Sequence, residues 1–213
     1  APSDYSSEKL ESFTHHLIQQ TNQFNEKLSQ NDYIAVEVPY TTDKIFDIAT
    51  KTIQNQHHYP VSNIKKSIFS LPLSYMGYGG YINPFTLEAQ VNAHQPKLRL
   101  LTTSAHEIAH QLGYAAEEEA NFIAIDAALH SENPYMQYAG YHLALGYVLA
   151  DCRKRKDIDS KALYQELHPG VLQQYQQVSA FWQSYQNPLE PFFMKSYDTY
   201  LKANNNKMQV LCF

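Results

Sequence analysis

Residues 104–121 read Ser104-Ala-His-Glu-Ile-Ala-His-Gln-Leu-Gly-Tyr-Ala-Ala-Glu-Glu-Glu-Ala-Asn121, and the rest of the chain is organised around them. The stretch contains His106-Glu107-x-x-His110. On an α-helix, residues four apart lie on one face with Cβ atoms roughly 5–6 Å apart. Two imidazole nitrogens can then meet at one zinc ion, each about 2.0–2.1 Å from it. Glu107 projects from the same turn but off the ligand line, which suits a base acting on a metal-bound water.

Gly113 follows His110 by three residues, where a helix would use a left-handed C-terminal cap. Had the helix run on, Glu117 would sit about 16 Å further along the axis than His106 and could not share a metal with it. A chain reversal at Gly113 instead lets a second helix begin near Glu117 and return a carboxylate to the ion. Its acidic first turn suits a helix N-terminus. Glu117, Asn121, Ala124 and Ala128 fall on one stripe, small enough to approach Ala105 and Ala109 closely. Phe122, Ile125 and Leu129 form a neighbouring stripe expected to face the core. The third ligand is read as Glu117. Glu119 is the alternative, and Glu118 is disfavoured because it shares the Phe122 stripe. Asn121 is placed for a hydrogen bond to a ligand. A third histidine in the pattern His-Glu-x-x-His-x-x-Gly-x-x-His would fall on Ala116, which cannot bind metal, so that rival signature fails.

The run His106-Glu-x-Ala-His-Gln-x-Gly-Tyr-Ala-x-Glu-x-Glu-Ala-Asn-Phe122 resembles the core motif of a bacterial zincin-like family of unknown function, common among Bacteroidetes and anchored in the membrane. Leu73–Asn92, Gln137-Tyr-Ala-Gly-Tyr141 and Tyr197-Asp-x-Tyr-Leu-Lys-Ala-Asn204 resemble it too, so the likeness spans roughly residues 40–204. It implies a zinc-peptidase-like fold, supplies no substrate, and implies an anchored protein with this domain outside the cytoplasm. Glu117-x-x-Ala-Asn121 is similar to the Glu-x-x-x-Asp element of gluzincins, whose first Glu is a ligand. Family members begin with hydrophobic membrane segments, which this chain does not contain, and the tail 205–213 does not resemble their continuation.

The 213 residues suffice for one domain with a sizeable core. Seventeen Tyr and ten Phe against seven Gly argue for an ordered, helix-rich fold. The net charge of −5 gives no sign of a nucleic-acid partner. No run approaches the roughly 18 apolar residues of a membrane helix. The chain starts at Ala1 and is expected to be an excised or processed piece, its membrane contact made through segments outside it. Cys152 and Cys212 do not make a disulfide framework, and a buried thiol is expected at 152.

The expected architecture is α+β and predominantly helical, a single zincin-like domain over 1–213 with a small sheet beside the metal helix. It divides into a helical N-terminal segment (1–60), strands and active-site helices (61–131) and C-terminal helices (134–203). Residues 4–30 read as an amphipathic helix with Leu10, Phe13, Leu17, Phe24 and Leu28 inward, and with His15 and His16 on the surface. A second helix, capped by Thr42 or Asp43, runs to about 58 with Ile45, Ile48, Ala49 and Ile53 buried. Residues 64–73 suggest a strand, Gly77-Tyr-Gly-Gly-Tyr81 a mobile aromatic loop, and 87–91 a second strand. The zincin resemblance implies that residues 87–92 form the sheet edge that binds an extended peptide, an ordinary edge strand being the alternative, and His94 is expected to lie in a loop. A mostly buried helix spans 134–156, its basic end Arg153–Lys156 favourable at a helix C-terminus. Three more helices follow at 160–167, 170–186 and 189–203.

These readings converge on zinc-dependent peptide hydrolysis, with a peptide or protein as partner. His106, His110 and Glu117 hold the ion, and Glu107 takes a proton from water and passes it to the leaving amine. Tyr141 and His142, with Tyr138, Tyr78 and Tyr197, are the candidates for a second oxyanion donor. The alternatives are a zinc-stabilised regulatory or interaction domain without hydrolysis, and an amidase acting on a non-peptide substrate such as cell-wall material.

Overall fold

The computed structural model describes residues 5–30, 34–57 and 64–186. In chain order these form α1 (Ser7–Ser29), α2 (Thr42–His57), β1 (Ile64–Lys66), α3 (Ser70–Met76), β2 (Gly80–Ile82) and β3 (Ala89–Val91). There follow α4 (Lys97–Gln111), α5 (Glu117–Leu129), α6 (Pro134–Lys154), α7 (Ser160–Gln165) and α8 (Pro169–Tyr185). The fold is therefore predominantly helical, with one small three-stranded sheet. No helix among the described residues is long and apolar enough to cross a membrane. The expected helix 189–203, Tyr197, the expected end of the second helix near 58 and Cys212 lie outside the described residues.

Two apolar clusters hold the molecule together. One joins α2, β3, α4, α5 and the start of α6 through Ile45, Ile53, Val91, Leu101, Ile108 and Met136. The other joins α1, the second half of α6, α7 and α8 through Leu17, Leu145, Leu149, Leu163 and Val171. Helix α6 serves both, which is why its apolar residues cover every side rather than one stripe. It comes down on α5 where Gly140 meets Ala128; a Cβ on Gly140 would lie 2.7 Å from that of Ala128.

Helix α1 buries Leu10, Leu17 and Ile18, but Phe13 is 52% exposed, so the inward stripe turns through Thr14 and Thr21 instead. Both threonine hydroxyls donate to the carbonyl one turn back (Leu10 and Leu17, 2.7 Å each), so they are buried without an orphan donor. Cys152 is free and buried, its Sγ 3.3 Å from the Thr14 hydroxyl. His15, His16 and His94 are exposed. At the basic end of α6, Lys154 pairs with Asp151, and Arg155 lies over the Tyr5 ring. Helix α2 buries the four expected residues, but its first turn is capped from Thr41, whose hydroxyl accepts from the Lys44 N–H, not from Thr42 or Asp43.

The sheet corrects three expectations. Its order is β1-β3-β2, with β1 parallel and β2 antiparallel to β3. Residues 64–73 do not form one strand. Beyond β1, Ser67 accepts from the Phe69 N–H, Ser70 Oγ donates to the Ser67 carbonyl, and α3 begins. Local hydroxyl bonds thus outcompete extension, and Ile68 is left 87% exposed. The stretch 77–81 is not a loop throughout: Gly77 caps α3 at φ 76°, and Gly80 and Tyr81 enter β2. Residues 89–91 form the centre of the sheet, so the 87–92 stretch is not the edge.

Candidate metal centre

Helix α4 lies against β2 and β3 and carries His106, Glu107 and His110. It ends in a Schellman turn. The Gly113 N–H donates to the His110 carbonyl (3.0 Å) and the Tyr114 N–H to the Ala109 carbonyl (3.2 Å), with Gly113 at φ 103°. That reversal starts α5 at Glu117 and lays its alanines on α4; Ala105, Ala109, Ala124 and Ala128 are all fully buried.

The result is a convergence of three side chains. His106 Nε2 lies 3.2 Å from Glu117 Oε2, and His110 Nε2 lies 3.5 Å from Glu117 Oε1. The two imidazoles meet nearly edge to face, centroids 4.5 Å apart. These three offer ligand atoms that all fall within 4.8 Å of one another and could hold a metal ion. Two ligands each about 2.0–2.1 Å from one tetrahedral ion lie roughly 3.3 Å apart, so the spacing fits zinc. The tautomer of His110 fits as well. Its Nδ1 lies 2.7 Å from the Tyr114 carbonyl; an Nδ1–H donated there leaves the Nε2 lone pair facing Glu117. The buried Nδ1 of His106 has no hydrogen-bond partner among the described residues.

Burial pushes the Glu117 carboxyl up, but the His106 and His110 side chains outweigh it and hold the group far below the usual carboxylate range. Burial lowers His110, yet Glu117 and Glu107 more than offset that and leave it raised. Glu107 is only 5% exposed, and burial pushes its carboxyl up against the opposing His106 and His110 charges. No hydrogen bond from any described residue holds this carboxylate.

Strand β2 lies over Glu107. The Asn92 N–H donates to the Gly79 carbonyl and the Asn83 N–H to the Glu88 carbonyl, both at 2.9 Å. Residues 79, 81 and 83 are therefore the hydrogen-bonded positions against β3. Gly80 and Ile82 direct their N–H and C=O groups to the other side, which no strand among the described residues covers. Among the described residues, the uncovered strand edge beside Glu107 is β2.

Glu119 is exposed and lines a shallow hollow with Tyr114, Glu118 and Phe122, apart from the three converging residues. Among the described residues Asn121 makes no hydrogen bond to His106, His110 or Glu117. Phe122 is 66% exposed, and the buried face of α5 is Ala120, Ile123, Ala124, Ala127 and Ala128 instead of the expected Phe122 stripe. The alanines let α5 sit close between α4 and α6, and a ring has no room there. The structure does not bring the second-donor candidates of α6 to His106, His110 and Glu117. Tyr141 stacks on Phe24 of α1, centroids 5.4 Å apart. Tyr138 is fully buried, with Asn25 of α1 beside its hydroxyl. His142 stacks on Tyr175 of α8 at 3.9 Å, and burial, aided by the Arg99 charge, pushes it down to about 3. The Tyr78 carbonyl accepts from Asn92 just before β2.

Sequence reading missed Tyr147 and Arg99. Tyr147 follows Gly140 by seven residues, on the α6 stripe facing α5. Burial raises its phenol, Arg99 opposes this, and the Glu117 charge raises it further. Arg99 sits on α4 seven residues before His106, a spacing that places both on one face.

No curated protein and no solved structure matches the chain. The model of the family described as "Protein of unknown function (DUF3810)" matches residues 1–209, and the chain belongs to that family.

Proposed function

We propose that this protein is a zinc-dependent metallopeptidase with a zincin-like, gluzincin-type centre. The observation that carries the reading is the meeting of His106 Nε2, His110 Nε2 and both Glu117 oxygens at ligand spacing, beside a buried carboxylate under an open strand edge. A zinc ion held by these three side chains supplies Lewis-acid polarisation and acidifies a water.

The chain's own residues do the rest. Glu107 takes a proton from the attacking water on its carboxylate and delivers it to the leaving amine nitrogen. Its burial suits the first of these steps, because a carboxylate whose pKa is raised by burial is a stronger base towards the water proton. Gly80 and Ile82 offer two N–H and two C=O groups to an extended peptide, which aligns its backbone along α4. This moves the peptide-binding edge expected at 87–92 to β2. Tyr147 of α6, whose phenol feels the Glu117 charge, replaces Tyr141 and His142 as the candidate second donor.

Hydrolysis of a mixed-sequence peptide library by the zinc-loaded protein tests the reading, with Glu107→Gln as comparison. Cleavage by the wild type, lost by at least about a hundredfold in E107Q while zinc is retained, supports the peptidase. Equal hydrolysis by both proteins contradicts it. An absence of hydrolysis in both leaves a zinc-binding regulatory domain.

A further inference from the structure

Among the described residues no hydrogen bond holds the carboxylate that acts as base in the proposed reaction, so packing must fix its direction. The geometry points to Gly80. We infer that the bare Cα of Gly80 forms the slot in which the Glu107 side chain lies, making Gly80 a positioning residue for that carboxylate. The kinetic part of this inference rests on the peptidase reading; the packing part does not.

A Cβ built on Gly80 would lie 2.6 Å from Glu107 Oε1, 2.7 Å from Cδ and 2.7 Å from Cγ. Three successive atoms are overrun, so turning only the tip of the side chain gives no relief. Glu107 is itself buried between α4 and the strand, which leaves it little space to swing away.

The strand cannot retreat either. The Gly79 carbonyl accepts from the Asn92 N–H and from Gln95 Nε2, each at 2.9 Å. Gln95 is fixed in turn by the Asn92 carbonyl (2.9 Å) and by the Thr103 hydroxyl (3.1 Å), which stands one turn before Glu107 on α4. Asn92 donates to Ser74 and to the Tyr78 carbonyl. A Cβ on Gly79 would already lie 3.0 Å from Thr103 Cγ2. Buried amides and hydroxyls thus clamp β2 to α4 at a separation where only glycine clears the carboxylate.

The test is a double-mutant cycle on thermal unfolding in chelator: wild type, G80A, E107A and G80A/E107A. Overpacking against Glu107 predicts that G80A lowers Tm by about 2–12 °C. Glu107→Ala removes all three overrun atoms, so G80A then costs less than about 1 °C. Equal losses in both backgrounds, or no loss in either, overturn the inference. Should G80A fail to fold, G80A/E107A must fold; failure of both also overturns it. The kinetic arm compares zinc-loaded wild type and G80A on one peptide. It predicts kcat lower by at least about tenfold, with KM within about threefold and zinc content unchanged. A rise in KM alone, or an unchanged kcat, contradicts positioning. A wild type that cleaves no peptide refutes the peptidase reading alone, and the thermal cycle then decides the role of Gly80.

Discussion

Replacing Gly113 by alanine isolates the turn on which the candidate metal centre depends. Gly113 holds φ 103°, and a Cβ there would meet no atom within 4 Å. The cost of Ala is therefore backbone strain alone, about 1–2 kcal/mol for an L-residue forced to positive φ. In a chain of this size each kcal/mol moves Tm by about 2–4 °C, so G113A should melt roughly 2–8 °C lower in chelator. Asn tolerates this region better than Ala, and G113N should lose less. The turn is also held by the 3.0 and 3.2 Å Schellman bonds and by the His110–Tyr114 contact. The strain should therefore be retained without moving Glu117, and zinc affinity should fall by less than about tenfold, or 1.4 kcal/mol. Urea unfolding in chelator, beside a competitive zinc titration, reads both quantities. The reasoning is refuted if G113A is as stable as wild type, or if G113N is the worse of the two.

Three further outcomes follow from the structure. Gly140→Ala overpacks the α5–α6 contact at Ala128 and should cost about 1–3 kcal/mol by urea unfolding; a loss under about 0.5 kcal/mol would show that the helices do not meet there. In metal-free protein, Glu117 is depressed and contributes stability above its ordinary value of 4.5, lost as pH falls through its folded value; His110 is raised and contributes below 6.5, lost as pH rises through its folded value. The Tm difference between wild type and E117A in chelator should thus peak between those two values and shrink on either side, and a difference flat from about pH 4 to 9 contradicts the pairing. Replacing Tyr147 by Phe should lower kcat while leaving zinc content intact, whereas Y141F should leave kcat unchanged within about twofold; the opposite ranking would return the second donor to Tyr141.

The convergence of His106, His110 and Glu117 is legible in the sequence because local geometry decides it. A four-residue spacing puts His106 and His110 on one face, and Gly113 leaves the chain one way to bring Glu117 back. The sheet is less legible. Its strands are three residues long, and their order depends on pairings some 25 residues apart (Ile64 with Ala89) that no local pattern encodes. Residues 89–91 therefore read equally well as an edge or a centre. Helix α6 is apolar on all sides, so nothing in its own sequence says that Tyr141 faces Phe24 while Tyr147 faces α5. In α5 size outweighs hydrophobicity: the alanines take the close contact, and Phe122 is turned outward.

The most direct test of the central claim is the metal content of the purified protein and of Glu117→Ala by mass spectrometry after zinc loading. One zinc per chain in the wild type, much reduced in E117A, is the predicted result. Full zinc in E117A would remove Glu117 from the site, and no metal in either protein would contradict the metal centre itself.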